Sequence, residues 1–189
     1  MIWKRTRASH RGKQDAIEKA RKLADLEMLQ WAAAVGEIDL CYLDESGFCL
    51  WLPASYSYFF QGEQKRLEQT ERRGKRIRIL GLLQPRQRFD YGLVVGSFEA
   101  ERYIRLMDEQ ARQAQLQFEA TAPIRVIVQE RSPVHTSQSV KAKWQEWQAC
   151  GLYCFFLPKY CSELNPIETE WHQLKAHQLC GQMFDHELD

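Results

Sequence analysis

The sequence predicts an α/β domain in which helices flank a mixed β-sheet. Three observations support this prediction. Short apolar runs of strand character follow one another closely in the first half, helices and strands alternate in the second half, and the helical segments show apolar residues at helical spacing. The 189 residues, 44% of them hydrophobic, suffice for one domain with a sizeable core.

The first half of the chain holds one predicted helix and four predicted strands. Leucines at helical spacing predict a helix over Asp15–Ala34, which Gly36 ends. The predicted strands are Ile38–Leu43, ending in the polar run 44–47, then Phe48–Leu52, Arg76–Leu83 and Phe89–Val95. Residues 54–75 between them are polar, basic and irregular.

The second half alternates helices with strands. The predicted order is a helix over residues 98–117 with Ser97 as N-cap, a buried strand Ile124–Val128, a helix Ser137–Cys150, a strand Leu152–Leu157 and a helix opened by Asn165–Pro166. This order predicts a basic arm and connector helix over 1–37, the α/β domain over 38–180 and a tail over 181–189.

Composition excludes several classes of protein. No apolar run approaches the roughly 20 residues needed to cross a bilayer, and no hydrophobic signal core follows the N-terminus, so we expect a soluble, intracellular protein without a membrane partner. The six cysteines contain no C-x-x-C pair and are interpreted as reduced thiols. A zinc site from Cys150, Cys154, Cys161 and a histidine would lack the usual spacing.

Local charge, rather than net charge, could point to nucleic acid. The net charge is only +1, but residues 1–22 and 63–88 are rich in lysine and arginine. Such stretches suit a phosphate backbone, although a solvated loop or helix face has the same composition. The candidates for sequence-independent, salt-sensitive contacts with DNA are Lys65, Arg66, Arg72, Arg73, Lys75 and Arg76.

Three acids stand where predicted elements end or begin. Asp44 ends the first strand, Glu130 follows the buried strand, and Glu168 lies in the first turn of the last helix. Sites form at such ends in open α/β sheets. Phosphoryl transfer on nucleic acid needs hard cations on oxygen ligands, and two Mg²⁺ ions about 4 Å apart can serve the attacking and leaving oxygens.

Each acid also has a purely structural interpretation. Asp44 could form a turn, and Glu130 could pair with Arg131 at the surface. Glu168 could complete a capping box with Asn165 as N-cap. Taken one position at a time, the acids therefore do not establish a site.

The surrounding motifs carry a family resemblance. The run LPKYCSELNPIE over residues 157–168 resembles the C-terminal signature of bacterial insertion-sequence transposases of the mariner-like DDE superfamily. DESGF over 44–48, directly after an apolar strand, is similar to the first acidic motif, and VIVQERSPVH over 126–135 falls where the second belongs. The resemblance covers about residues 38–178, and the C-terminal motif is its specific part.

The resemblance implies a ribonuclease-H-like fold and a metal-dependent enzyme. Asp44, Glu130 and Glu168 would be the catalytic and metal-binding acids, holding two Mg²⁺ or Mn²⁺ ions. The enzyme would cut double-stranded DNA at transposon ends and join the 3′ hydroxyl to a target, in the bacterial cytoplasm at the nucleoid. A homodimer or a full-length transposase would be the protein partner.

Other residues matching the motifs have weaker assignments. His135 could position the site or a phosphate, or be a structural histidine at a helix start. Lys175 could contact backbone phosphate, or lie on a solvated face. Trp171, Trp144 and Trp147 are predicted to belong to the core.

Two features depart from the family pattern. Glu130 stands where the pattern has Asp and Arg131 where it has Asn, so we expect a displaced or competing charge to weaken metal binding. Residues 1–37 are too few for helix-turn-helix modules, which predicts a truncated or split copy without strong recognition of transposon ends. The alternatives are a non-catalytic DNA-binding or partner-binding remnant and a ribonuclease-H-like nuclease with another task, against which the Asn-Pro-Ile-Glu motif argues.

Overall fold

The structure is a computed structural model, and it describes residues 11–49, 76–94, 96–121 and 123–179. Its strands are β1 (Ile38–Cys49), β2 (Arg76–Gln84), β3 (Arg88–Val94), β4 (Ile124–Gln129) and β5 (Leu152–Phe156). Its helices are α1 (Ala16–Ala34), α2 (Ala100–Thr121), α3 (Gln138–Ala149) and α4 (Ile167–Gln173), with a π-helical turn Leu174–Gln178 after α4. None of the helices in these ranges is long and apolar enough to cross a membrane.

The five strands form one mixed sheet in the order β3-β2-β1-β4-β5. β1, β2 and β3 pair antiparallel, whereas β4 and β5 run parallel to β1. Antiparallel neighbours need only short connections, and the parallel strands are reached through α2 and α3, as crossovers require. The predicted mixed sheet flanked by helices is confirmed.

The two faces of the sheet bury separate cores. On one face, Cys41 and Leu43 of β1 pack with residues of α2 and α3, including Met107 and Trp147. On the other face, residues of even number along β1 pack with Leu26 of α1 and with Ile167 and Trp171 of α4. This alternation follows from the two-residue period of a strand, and it assigns Asp44 to the α4 face.

Side chains at the helix starts explain where two helices begin. Asp15 accepts hydrogen bonds from the backbone N–H groups of Ile17 and Glu18 at the start of α1. Ser137 accepts one from Val140 at the start of α3. Lys19 of α1 also forms an ion pair with Glu163, at 2.6 Å, which joins the predicted connector helix to the segment before α4.

The first strand is longer than the sequence predicts. β1 continues through the run 44–47, where the sequence predicts the end of a strand, because β2 pairs with it from Tyr42–Leu83 to Cys49–Arg76. The turn interpretation of Asp44 is therefore wrong. Pairing with β4 stops earlier, at Tyr42–Val128, so one edge of β1 is released just before Asp44.

Candidate metal centre

The three predicted acids come together at one edge of the sheet, on the α4 face. Asp44 lies in β1, two residues beyond its last pairing with β4. Glu130 directly follows β4, and Glu168 is the second residue of α4. The side chain of Asp44 is partly buried, whereas those of Glu130 and Glu168 are exposed.

The acids act on one another electrostatically. Burial raises the pKa of Asp44 to about 7, a hydrogen bond from the Glu45 backbone lowers it, and the charges of Glu168 and Glu130 raise it. Burial raises the pKa of Glu130, and the charges of Glu168 and Glu163 raise it further. Solvent screens the Glu130 carboxylate more than that of Asp44, because the Glu130 side chain is exposed.

The cluster is short of positive charge. Within the described ranges, none of the three acids forms an ion pair with a lysine or arginine. Carboxylates that lie close together without a cationic partner among the described residues are a donor set that suits a divalent cation.

The same residues are not a ready-made cage. Among the described side chains, no three of His, Cys, Asp or Glu lie close enough, as they stand, to hold one metal ion. Each glutamate would have to turn inward, which their exposed side chains leave room for. Asp44 is thus the anchored member and the two glutamates are the adjustable ones.

The expected competition from Arg131 is not seen. Glu130 and Arg131 are both described, and they form no ion pair with each other. The surface-pair interpretation of Glu130 is therefore wrong for this structure, and Arg131 does not occupy the Glu130 carboxylate. The extra methylene of Glu130 relative to Asp is the departure that still bears on the site.

Asn165 joins the strand of one acid to the helix of another. Its side chain is buried, its Nδ2 donates to the Leu43 carbonyl at 3.3 Å, and its Oδ1 accepts from the Ile167 backbone at 3.4 Å. These bonds end one residue before Asp44 and one before Glu168. The capping-box interpretation of Glu168 is only half met: Asn165 accepts from the Ile167 N–H as an N-cap would, but its own backbone N–H donates to the Ser162 carbonyl at 2.8 Å and not to Glu168.

We expect Asn165→Ala to lower the free energy of unfolding by about 1–3 kcal/mol, because the buried Leu43 carbonyl would lose its amide donor. Urea unfolding measures this. The control is Gln115→Ala, which removes an exposed amide that donates to Glu119 at 3.0 Å. Equal losses in the two variants would contradict the assigned role of Asn165.

His135 lies inside the protein. It is 5% exposed, its ring lies 4.5 Å from that of Tyr103, and its Nδ1 is 2.9 Å from the carbonyl oxygen of Glu130. Because a carbonyl only accepts, Nδ1 carries the proton, and burial lowers the pKa of the ring. A buried, neutral histidine is better suited to a structural role than to contact with a phosphate. In this role His135 holds the backbone of Glu130.

The remaining predicted contacts with DNA lie at the surface or outside the described residues. Lys175 is exposed, and its Nζ lies 5.0 Å from the centre of the Phe48 ring. Lys65, Arg66, Arg72, Arg73 and Lys75 lie outside the described residues, as does the side chain of Arg76.

A cavity of about 660 Å³ is distinct from the acids. It lies beside α1 and the start of β1, and Gln30, Asp39, Tyr42 and Gln84 are among the residues that line it. None of the three acids is part of its lining. The cavity is therefore separate from the carboxylate cluster.

Comparison with known proteins identifies one matching family. The sequence profile of a family described as DDE superfamily endonuclease matches residues 39–188, which include all three acids. No curated protein sequence matches the chain.

Solved structures match the fold. The Mos1 mariner paired end complex with Mn matches with a TM-score of 0.70 at 17% identity, over 100% of this chain and 56% of that one. The catalytic domain of Mos1 mariner transposase matches with a TM-score of 0.61 at 14% identity, over 98% and 80%. The Mos1 strand transfer complex matches with 0.67 at 17%, over 100% and 55%. The chain thus spans about half the length of the transposase chains in those complexes, and its fold is that of their ribonuclease-H-like catalytic domain.

Proposed function

Since the chain belongs to the DDE superfamily of endonucleases, we propose that it cleaves and transfers DNA strands with divalent cations held by Asp44, Glu130 and Glu168. The observation that carries this proposal is the convergence of three acids, from β1, from the residue after β4 and from α4, with no cationic partner among the described residues. The proposed catalytic domain comprises residues 38–180, after a connector over 1–37 and before a tail over 181–189.

The residues present fit Mg²⁺ or Mn²⁺ by the chemistry of their donors. Carboxylate oxygens are hard ligands, and a pair of such ions, when bound, would stabilise charge on the attacking and leaving oxygens of a phosphodiester. Asp44 is held by the Glu45 backbone and by Trp171, so it can set the position of the site. Glu130 and Glu168 would supply the closing ligands by rotating their exposed side chains.

Basic residues would hold the DNA. Lys175 follows α4 on the same segment as Glu168 and is exposed. We propose that it and the lysines and arginines of the stretch 63–88 bind phosphates without reading sequence. The DNA would comprise transposon ends and a target, as the paired end and strand transfer complexes of Mos1 suggest by analogy. A homodimer or a longer transposase as partner, and a bacterial cytoplasm as location, belong to this proposal and rest on the resemblance.

Glu130 would limit the efficiency of this site. One extra methylene moves its oxygens by more than the roughly 0.5 Å within which catalytic groups must be held. We therefore expect weak metal binding and slow strand cleavage in the wild-type chain, and improvement when Asp-Asn is restored at positions 130–131.

Calorimetric titration with Mn²⁺ and a plasmid-nicking assay test both expectations. Wild-type protein should bind Mn²⁺ and nick DNA, and Glu168→Gln should bind at least about 10-fold more weakly and lose nicking. The double variant Glu130→Asp, Arg131→Asn should bind about 10-fold more tightly than wild type. Full wild-type activity that the double variant does not raise would contradict the assigned effect of Glu130.

A binding-only protein is the second candidate. The open spacing of the acids favours it, because no three described ligands yet form a metal site. It would bind DNA in the nicking assay without cutting it, and it would give no heat with Mn²⁺ even after the double substitution. Metal-dependent nicking excludes it.

A further inference from the structure

We propose that Trp171 is a positioning residue for Asp44, and that Gly81 leaves the space in which the indole is held. The inference deepens the proposed function, on which it rests, by naming what keeps the anchored acid in one orientation. The sequence predicts only a core position for Trp171, and its 2% exposure confirms that part.

The contact is a direct hydrogen bond to the acid. The indole Nε1–H of Trp171 donates to Oδ2 of Asp44 at 2.9 Å. Indole is a donor only and carries no charge. It can therefore orient the carboxylate without neutralising its charge. A lysine or arginine in the same place would neutralise that charge.

Aromatic neighbours restrict the indole ring. Phe48 of β1 meets it edge-on at a centroid distance of 6.2 Å, and Phe89 of β3 does so at 5.3 Å. Packed on both sides and buried, the ring has little freedom to swing away from Asp44. The direction of its N–H is thus set by the core.

Gly81 of β2 leaves the space that the indole occupies against the sheet. A Cβ at this position would lie 2.6 Å from Cζ2 and 2.7 Å from Cη2 of Trp171, and 2.9 Å from Cε2 of Phe89. Such distances are too short for real carbon contacts, so any side chain would push the indole out. Gly81 is also the cross-strand partner of Asp44 in the β1–β2 ladder, so the glycine and the acid are direct neighbours.

The protein offers a matched control. Trp147 is also buried, at 1% exposure, and its Nε1–H donates to Oδ1 of Asp108 at 2.8 Å. Asp108 belongs to α2 and not to the acid cluster. Trp147→Phe therefore removes an equivalent tryptophan–aspartate bond without touching the site.

Two readouts test the inference on the full chain. Trp171→Phe keeps an aromatic ring and removes the donor, so Mn²⁺ affinity should fall about 10-fold, whereas Trp147→Phe should leave it unchanged. In ¹⁵N–¹H spectra, Asp44→Asn should shift the indole resonance of Trp171 and leave that of Trp147 in place, with or without metal.

A second pair of variants tests the position of the indole without altering Trp171 itself. Gly81→Ala should displace the indole and weaken Mn²⁺ binding as Trp171→Phe does. Gly92→Ala should not, because a Cβ at Gly92, in the neighbouring strand, meets nothing within 4 Å.

Unchanged Mn²⁺ affinity in Trp171→Phe, or an indole resonance indifferent to Asp44→Asn, would overturn the inference. If wild-type protein binds no Mn²⁺, the proposed function fails. The response of the Trp171 resonance to Asp44→Asn still decides whether the indole positions the acid.

Discussion

Arg125→Met is expected to lower the free energy of unfolding by about 3–5 kcal/mol, because it leaves a buried charge unpaired. Arg125 of β4 and Asp39 of β1 are each 5% exposed, and Nε lies 2.6 Å from the Oδ2 of Asp39. Gln84 donates to the other oxygen of Asp39 at 2.6 Å, and Arg125 donates to Gln110 at 2.9 Å. Methionine has no donor, so the carboxylate would lose its only charged partner in that network.

Urea unfolding with a surface pair as control checks this expectation. Arg88 pairs with Asp90 at 2.9 Å, but these side chains are 48% and 52% exposed, so Arg88→Met should cost less than about 1 kcal/mol. Adding Asp39→Leu to Arg125→Met should recover much of the loss, since the unpaired charge is then gone. A loss for Arg125→Met no larger than that for Arg88→Met would show that the buried pair does not matter.

Asp44→Asn is expected to stabilise the metal-free protein above neutral pH, while metal binding is lost. Burial raises the pKa of Asp44 to about 7 from the ordinary value of 3.8, so the folded state holds this proton more tightly than the unfolded state. The resulting stability is full below about pH 4 and disappears as the pH rises through about 7. Asparagine keeps the shape of the side chain and never ionises, so the variant escapes the loss.

The size and the pH window of this effect can be measured together. In EDTA, the variant should gain on the order of 2 kcal/mol over wild type between about pH 4 and pH 8.5. Asp25→Asn, on the exposed side of α1, should show no comparable change across that window. A constant difference between wild type and Asp44→Asn at all pH values would mean that Asp44 ionises as freely as an exposed acid.

Ionised carboxylates that destabilise the metal-free fold are consistent with a site that serves chemistry and not stability. The same charges that raise the pKa of Asp44 would draw in a divalent cation. Bound metal should then remove the pH-dependent loss, because it replaces the proton as the positive partner.

Local patterns were sufficient for most of the elements and for proposing the acids. Apolar and alternating runs predicted the positions of the described strands, except that the predicted strands Ile38–Leu43 and Phe48–Leu52 are continuous in β1 as far as Cys49. The motif over residues 157–168 led to the correct superfamily and fold. Asp44, Glu130 and Glu168 could be named because each stands at a recognisable motif. Such reasoning is weakest at the element boundaries, and the predicted end of the first strand at residues 44–47 is wrong.

Contacts between distant segments required the folded chain. The register of β1 on β2 carries the strand through Asp44, and the fold brings Trp171 to Asp44 across 127 positions and Arg125 to Asp39 across 86. Burial also gave His135 its structural place. Periodicity reports which face a residue occupies, but a hydrogen bond or ion pair also needs the sheet order and register, which arise only when the strands pair. The sequence alone thus proposed the acids, and the tertiary structure determined which neighbours hold them and how their charges interact.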